Sequence, residues 1–474
     1  MSGMSSVSFN IEAEVTPAYY EELLNYIHQN YLQPSSLQFT NVRRSIADGH
    51  PVLDFSRVES KGKWRIDVTI KTGMPIQVTL TPSDAVVPQL FLDELKEDLV
   101  IMVQFFEENV RNSSLYFAWV QGKAVVPEKS PFRRARIIER IFFGNILFLF
   151  VLLMAVSIAL FFVFGIYAAL LIVAFQLATV IFSDKLISTL SDWTITTQNR
   201  AVHILQYRLS TKEQEIITQK YSREQLLQMK KEIYDNTIGI GKPIDCETAS
   251  AVMSKYGLIC SPENMATKTI DVYDLVEKTS EKFGIPTPKI VLSNTRVANA
   301  AASGPGPKHG IVLITTGLLV QLNEEEILSV LGHEFSHLNS RDPFVLFGIV
   351  TGEYLFRIFV LWPYIQYFGL FYLIFVLGAI YFVAKFFEAR ADLDSAIKIG
   401  NPKILAEALR KIGFRRLQFE RFRASKFQDW VTWDPHPPIY FRIERLEKYE
   451  PTLEVKHTFV QSAKDCIRGF LAIF

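Results

Sequence analysis

For 42 residues, 141–182, the chain carries no charged side chain. As a single helix that run would be about 63 Å long at 1.5 Å per residue, roughly twice the ~30 Å hydrocarbon core of a bilayer. It therefore has to fold back. Gly165 and Tyr167 stand near its middle, which divides it into helices over about 141–164 and 166–182. Lengths of this kind are those of spanning helices, so the expectation is a transmembrane hairpin, with a buried helical pair in a soluble core as the competing reading. Arg133, Arg134, Arg136 and Arg140 precede the run and Lys185 follows it, while the turn is uncharged. The positive-inside rule then puts both ends in the cytoplasm.

A second apolar stretch, 344–383, is interrupted by Glu353 and Arg357. Four residues apart on a helix, these two can pair, and inside a membrane such a pair faces a bundle interior or a wet cavity. Mutual neutralisation and the lining of a substrate cavity both remain open. Trp362, Pro363 and Tyr364 break the stretch where an interfacial aromatic belt and a turn are expected. This gives a second hairpin, about 344–361 and 366–382.

Residues 1–130 read as a small α/β domain. Trp64, Ile66, Val68 and Ile70 alternate with Arg65, Asp67, Thr69 and Lys71, the pattern of a half-buried strand, and Ile76, Val78 and Leu80 repeat it after Gly73. Helices are expected from Thr16-Pro17 to Tyr31 and over 90–110. No catalytic cluster appears here, so the domain reads as a binding or regulatory module for a partner the sequence does not identify. Residues 183–265 read as a helical linker region, with a solvated helix over 211–236. Strands are expected at 289–293 and 311–314. The catalytic domain then falls in two parts, 266–343 and 385–474, on either side of the second hairpin at 344–384.

Of the 474 residues, 50 are lysine or arginine and 49 are acidic, so no basic footprint for nucleic acid exists over the chain. Three cysteines, Cys246, Cys260 and Cys466, argue against a disulfide framework and a cysteine zinc site, and fit a reducing compartment. Residues 1–15 are polar and acidic, so no signal peptide is expected.

The decisive motif is His333-Glu334-Phe335-Ser336-His337. It lies on a helix that begins near Asn323, an N-cap with Glu326 placed for a capping box. Four apart, the two histidines share one face about 6 Å from each other and can both bind a tetrahedral zinc. Glu334 beside them can take a proton from a water made acidic by the metal and pass it to the leaving amine. A third ligand is needed. Ser340 and Pro343 break the metzincin continuation. Glu353 would sit about 24 Å along the same helix. Glu388 follows the second hairpin, and an up-and-back pair returns it to the level of His337. Asp392 shares its helix face and can accept a hydrogen bond from a ligand histidine. The alternative for Glu388 and Asp392 is a solvated acidic face with Lys385 and Arg390.

Asn299-Ala300-Ala301-Ala302-Ser303-Gly304, Thr315-Thr316-Gly317-Leu318-Leu319, the H-E-F-S-H string, Arg341-Asp342 and Glu388-Ala389-Arg390-Ala391-Asp392 together resemble the HtpX-type membrane metalloproteases, relatives of the CAAX prenyl protease. The likeness covers the first hairpin and about 271–446, and leaves the N-terminal domain out. It implies a gluzincin-like fold with zinc on His333, His337 and Glu388, Glu334 as general base and Asp392 behind the ligands. The family's usual N-A-F-A reads Asn299-Ala300-Ala301-Ala302 here. That small-residue segment can serve as an edge strand accepting an extended substrate through backbone hydrogen bonds, or as a plain inner strand. Asp434-Pro435-His436-Pro437-Pro438, followed by Arg442, Ile443 and Leu446, is similar to elements near the family's C-terminal end. His436 or Arg442 can donate to the oxyanion of a tetrahedral intermediate. Alternatively the prolines stiffen a turn and Arg442 caps or pairs.

The expectation is an α/β, multi-pass cell-membrane zinc endopeptidase with its termini and active site in the cytoplasm. Its substrates are proteins or peptides, with misfolded or membrane-associated proteins foremost. Two rivals stand beside it. A CAAX-type prenyl-protein protease would need a larger helical chamber than four spans provide. A catalytically silent scaffold or binding protein would have no use for Glu334, Glu388 and Asp392 together.

Overall fold

Alternation of apolar and polar side chains builds an antiparallel sheet in the N-terminal region. Its strands are β1 (Val7–Ile11), β2 (Phe39–Ala47), β3 (His50–Val58), β4 (Arg65–Lys71) and β5 (Ile76–Pro82), in the order β1-β5-β4-β3-β2. Ile66, Val68 and Ile70 of β4 and Ile76, Val78 and Leu80 of β5 all turn into the core, as a period of two requires. Helices α1 (Tyr20–Ile27) and α2 (Gln89–Asn112) cover that face with Leu23, Leu24, Ile27, Leu95, Leu99 and Val103. The computed structural model describes residues 6–13, 15, 17–59, 64–83, 87–125, 146–422, 426–450 and 455–474. The basic flank Arg133, Arg134, Arg136 and Arg140, and the first residues of the expected first hairpin, lie outside that set.

The chain divides into two units. The first comprises Met1–Phe117, Leu205–Met229 and Pro243–Thr267; the second comprises Ala118–Ile204, Lys230–Lys242 and Lys268–Phe474. The first unit thus includes later segments that were expected to be linker. One of them overturns the reading of the cysteines: Cys246 and Cys260 are joined in a disulfide, and only Cys466 is free. The helix Cys246–Lys255 ends at a reversal in which Gly257 takes a φ of 75°, bringing Cys260 back beside Cys246. An odd cysteine count leaves room for one bridge, and chain reversal after a helix is what closes it.

The second unit is built on a four-stranded sheet. Its strands are β6 (Trp193–Ile195), β7 (Lys289–Ser293), β8 (Ala300–Ser303) and β9 (Ile311–Thr315), in the order β8-β9-β7-β6. Only the β7–β9 pair is parallel. Residues 183–265 are therefore not wholly helical: β6 and the strand Ala201–Arg208 lie within them. Strand β8 is an edge, with β9 as its partner strand. Helices α3 (Ile146–Phe164) and α4 (Tyr167–Ile181) meet at Gly165, whose φ of 56° suits the reversal that ends a helix.

Helices of the second unit that bear on the site are α5 (Val272–Phe283), α6 (Glu324–Ser340), α7 (Asp342–Phe356), α8 (Trp362–Lys398), α9 (Pro402–Phe422), α10 (Lys426–Val431), α11 (Ile439–Glu447) and α12 (Thr458–Leu471). Segments 342–364 and 371–398 are long and apolar enough to cross a membrane. Between α7 and α8 the backbone stays helical through a π-turn at Arg357–Leu361, with Pro363 opening α8. Yet Tyr372 donates to Glu353 at 3.2 Å, whereas a straight helix would hold them about 28 Å apart. The chain therefore folds back between Glu353 and Tyr372, and its irregularity there is a wide helical turn at Arg357–Leu361, ahead of the break at Trp362, Pro363 and Tyr364 expected from the sequence.

Candidate active site

Helix α6 starts where its capping box puts it. The Asn323 side chain accepts from the Glu326 backbone N–H and Glu326 Oε2 accepts from that of Asn323, both at 2.9 Å. Ile327, Leu331, Phe335 and Leu338 bury one side of the helix. Gly332 lets it approach α8 closely, since a Cβ there would strike Ile399 and Ser395. The turn from His333 to His337 is thereby pressed against the segment of α8 that carries Glu388 and Asp392.

At that contact three donors converge. His333 Nε2 and His337 Nε2 lie 3.2 Å apart. Glu388 Oε2 is 3.3 Å from the first and Oε1 is 3.5 Å from the second. The ligand-type atoms of the trio all fall within 4.8 Å of one another. Each imidazole is held from behind. Asp392 Oδ1 sits 2.9 Å from His333 Nδ1, and Asp342 Oδ2 sits 2.7 Å from His337 Nδ1. Each of these carboxylates is gripped in turn by an arginine. Arg442 donates Nε and Nη2 to Asp392, both at 2.7 Å, and Arg390 donates Nη2 to Asp342.

Burial alone would depress the His333 imidazole, but the hydrogen bonds and negative charge of Asp392 and Glu388 outweigh it and lift its pKa to about 10. Without a metal that imidazole holds a proton on each ring nitrogen, Nδ1 toward Asp392 and Nε2 toward Glu388, and a metal ion would take the place of the Nε2 proton. With both Nδ1–H groups committed to carboxylates, the two Nε2 lone pairs and the Glu388 carboxylate face a common centre, and Glu388 Oε2 is buried with no hydrogen-bond partner among the described residues. A single cation at that centre satisfies all three donors, so the residues present fit a metal ion.

Glu334, half-buried, points to the sheet: its Oε2 accepts from the Ala302 backbone N–H of β8 at 2.9 Å. Asn299 anchors the start of that strand, its N–H donating to Thr315 Oγ1 at 2.9 Å and its carbonyl accepting from the Thr315 N–H at 3.0 Å. Ala300, Ala301 and Ala302 form the edge beside Glu334. Of the two placements open to them, edge and inner strand, the structure displays the edge.

His436 stands at the rim, its side chain 42% exposed, with Nδ1 2.8 Å from Asp434 Oδ1 and Nε2 3.3 Å from Glu388 Oε2. Its loop is tied down by Lys385, which donates to the carbonyls of Asp434 and His436, and by Arg416, which pairs with Asp434 at 2.6 Å. Burial raises the Asp434 carboxyl, but the hydrogen bond from His436 and the charge of Arg416 more than offset this and hold it well below the usual carboxylate range. Of the two uses open to Arg442, the structure displays the pairing with Asp392.

Glu353 is not part of the cluster; it pairs with Arg357 at 2.8 Å within the apolar segment. His309 is exposed in a loop. Lys385, Arg390 and Asp392 are buried, so the solvated acidic face does not form. Sequence reasoning gave no role to Asp342 or Arg390. The available signal was the helix break at Arg341, whose φ of 57° ends α6 and sets Asp342 beside His337.

The Peptidase family M48 signature matches residues 266–450. A Protease HtpX homolog from Pyrococcus abyssi is 31% identical over 235 residues, 42% of this chain and 79% of that protein. The chain belongs to peptidase family M48. An HtpX homolog of Pyrococcus furiosus is 30% identical with the same shares covered, and one of Thermodesulfovibrio yellowstonii is 29% identical, covering 41% and 80%. Among solved structures, Ste24p of S. mikatae covers 77% of this M48 peptidase and 76% of its own chain, at 12% identity and a TM-score of 0.34, a likeness too loose to argue from. Membership makes the chain a metalloprotease acting on proteins or peptides, and the His333–His337–Glu388 cluster is compatible with the metal this entails.

Proposed function

We propose that this M48 peptidase is a zinc-dependent endopeptidase held in the membrane by two helical hairpins, with its active site on the cytoplasmic side. The observation that carries the reading is the convergence of His333, His337 and Glu388 within 4.8 Å, with Glu334 bonded to the neighbouring strand edge. Two imidazole nitrogens and a carboxylate are the donor set of catalytic zinc sites, which keep a fourth position for water or substrate. Zinc there supplies Lewis acidity, polarising the scissile carbonyl and acidifying water. Asp392 and Asp342 fix the histidine tautomers and ring planes. Glu334 accepts the proton of the attacking water and returns it to the leaving amine nitrogen. The Ala300–Ala302 edge aligns an extended substrate through its backbone, and His436 stabilises the oxyanion.

Backbone pairing at an edge is tolerant of side chains, which favours unfolded or misfolded stretches of membrane-associated proteins over a single modified motif. Exposed Phe162 and Phe175 on the first helical pair, and Phe371 and Phe375 on the second, give these helices apolar surfaces that lipid would cover. The test is digestion of a generic unfolded protein by the purified enzyme with and without zinc, beside a Glu334→Gln control. The expected result is zinc-dependent cleavage reduced roughly 10²–10⁴-fold in the control; wild-type turnover in the control would end the proposal.

A further inference from the structure

The base of α8 is ringed by aromatic side chains that the proposed chemistry does not use. Phe382 packs on Phe470 with ring centroids 5.5 Å apart, Tyr381 lies 6.2 Å from Trp433, and Phe427 contacts both Phe470 and Phe474. Helix α12 is seated by Gly469, where a Cβ would strike Phe441 and Trp430. It crosses α8 in a definite sense: Phe459 meets Phe387 at 5.3 Å, and eleven residues later Phe470 meets Phe382. Helix α12 therefore runs toward the apolar end of α8.

Its inner face is buried at Ser462 and Cys466, but a second apolar stripe looks outward. Val460, Ile467 and Leu471 follow one another at helical spacing and are exposed, and Phe474, just past the end of the helix, is 84% exposed. Exposed Lys464 and Arg468 stand on the same helix, and exposed Trp433, Val431 and Phe427 extend the apolar surface beside it. An outward apolar stripe bordered by cations and aromatics, at the level where a spanning segment ends, is the composition of a helix lying in the headgroup layer.

We infer that α12 and the 427–433 segment form a collar that beds the catalytic unit in the bilayer interface, the occupant of this surface being lipid headgroups and the adjoining acyl chains. The inference rests on the reading of α8 as a spanning helix. It has a consequence for substrate choice. Glu388 lies six residues beyond Phe382 on the same helix, about 9 Å along its axis. The collar fixes the cleft at that height, so the peptide bonds offered to it are those just outside the membrane surface.

The test uses the full chain in vesicles of equal parts phosphatidylcholine and phosphatidylglycerol, spin-labelled at one position at a time: Trp433, Leu471 or Phe474. Exposed Phe375 on α8 serves as the bilayer reference and exposed Glu325 on α6 as the water reference. Accessibility to oxygen relative to a water-soluble nickel chelate is expected to be several-fold higher at the collar labels than at Glu325, and lower than at Phe375. Collar labels that match Glu325 while Phe375 is immersed overturn the collar and leave the spanning helix standing. If Phe375 itself matches Glu325, the spanning reading falls and the collar falls with it.

Discussion

His333 and His337 are not held alike. Asp392, which backs His333, receives two hydrogen bonds from Arg442, while Asp342, which backs His337, is held by Arg390. Both carboxylates set which ring nitrogen is free to bind, so Asp342→Asn should weaken metal binding roughly 10–100-fold, measured by competition with a chelator. Unchanged affinity would remove Asp342 from the site. The meeting of His333 and His337 with Glu388 and Asp392 was legible because a helix fixes which residues share a face and a folded-back pair fixes which ends meet. Asp342 and Arg390 were not, because their partners lie across a helix break and on another helix, where periodicity carries no information.

Close approach of α6 and α8 depends on a missing side chain. Gly332→Ala would drive a methyl group into Ile399 and Ser395, costing roughly 1–3 kcal/mol by overpacking and separating the histidines from Glu388. Thermal unfolding and metal affinity should fall together; a loss of neither would mean that the helices have room to spare. The loop carrying His436 gives a pH signature. Asp434 is held below its ordinary range, so its contribution to stability is present above its unfolded pKa, about 4, and is lost as pH falls. Asp434→Asn should flatten the acid limb of the stability profile, as followed by urea unfolding across pH; an unaltered limb contradicts the assignment. Strands β4 and β5 were readable from alternation, β7 and β9 as short apolar runs, and the start of α6 from its capping box. Strand β2 was not, because all but its first residue is exposed, so no buried face selects apolar residues at alternate positions. Strand β6 has three residues and pairs with β7 nearly a hundred positions later, too short and too distant for a local pattern.

Across the whole molecule, the Cys246–Cys260 bridge lies between the two hairpins, on the side that the proposed topology assigns to the cytoplasm, where disulfides are rare, so topology and bridge are each to be tested. The proposed topology puts both reversals outside, so single cysteines at exposed Tyr167 and Tyr364 should react with an impermeant thiol reagent from outside, and cysteines at Lys212 and Glu450 should not. External labelling at Glu450 but not at Tyr364 would break the second hairpin. The Cys246–Cys260 bridge corrects the reading from cysteine number and, by closing a short loop, stabilises the fold by about 3 kcal/mol. Denatured protein should alkylate one cysteine before reduction and three after; three before reduction would contradict the bridge. In the native state burial pushes the Cys466 thiol up to about 12, so it should stay unlabelled. The proposed metal site depends on the fold-back, because His333 and His337 precede it and Glu388 follows it. The most direct test is therefore the metal content of two purified variants: Glu388→Ala should lose bound zinc and Glu353→Ala should retain it. Zinc retained without Glu388 and lost without Glu353 would contradict the site.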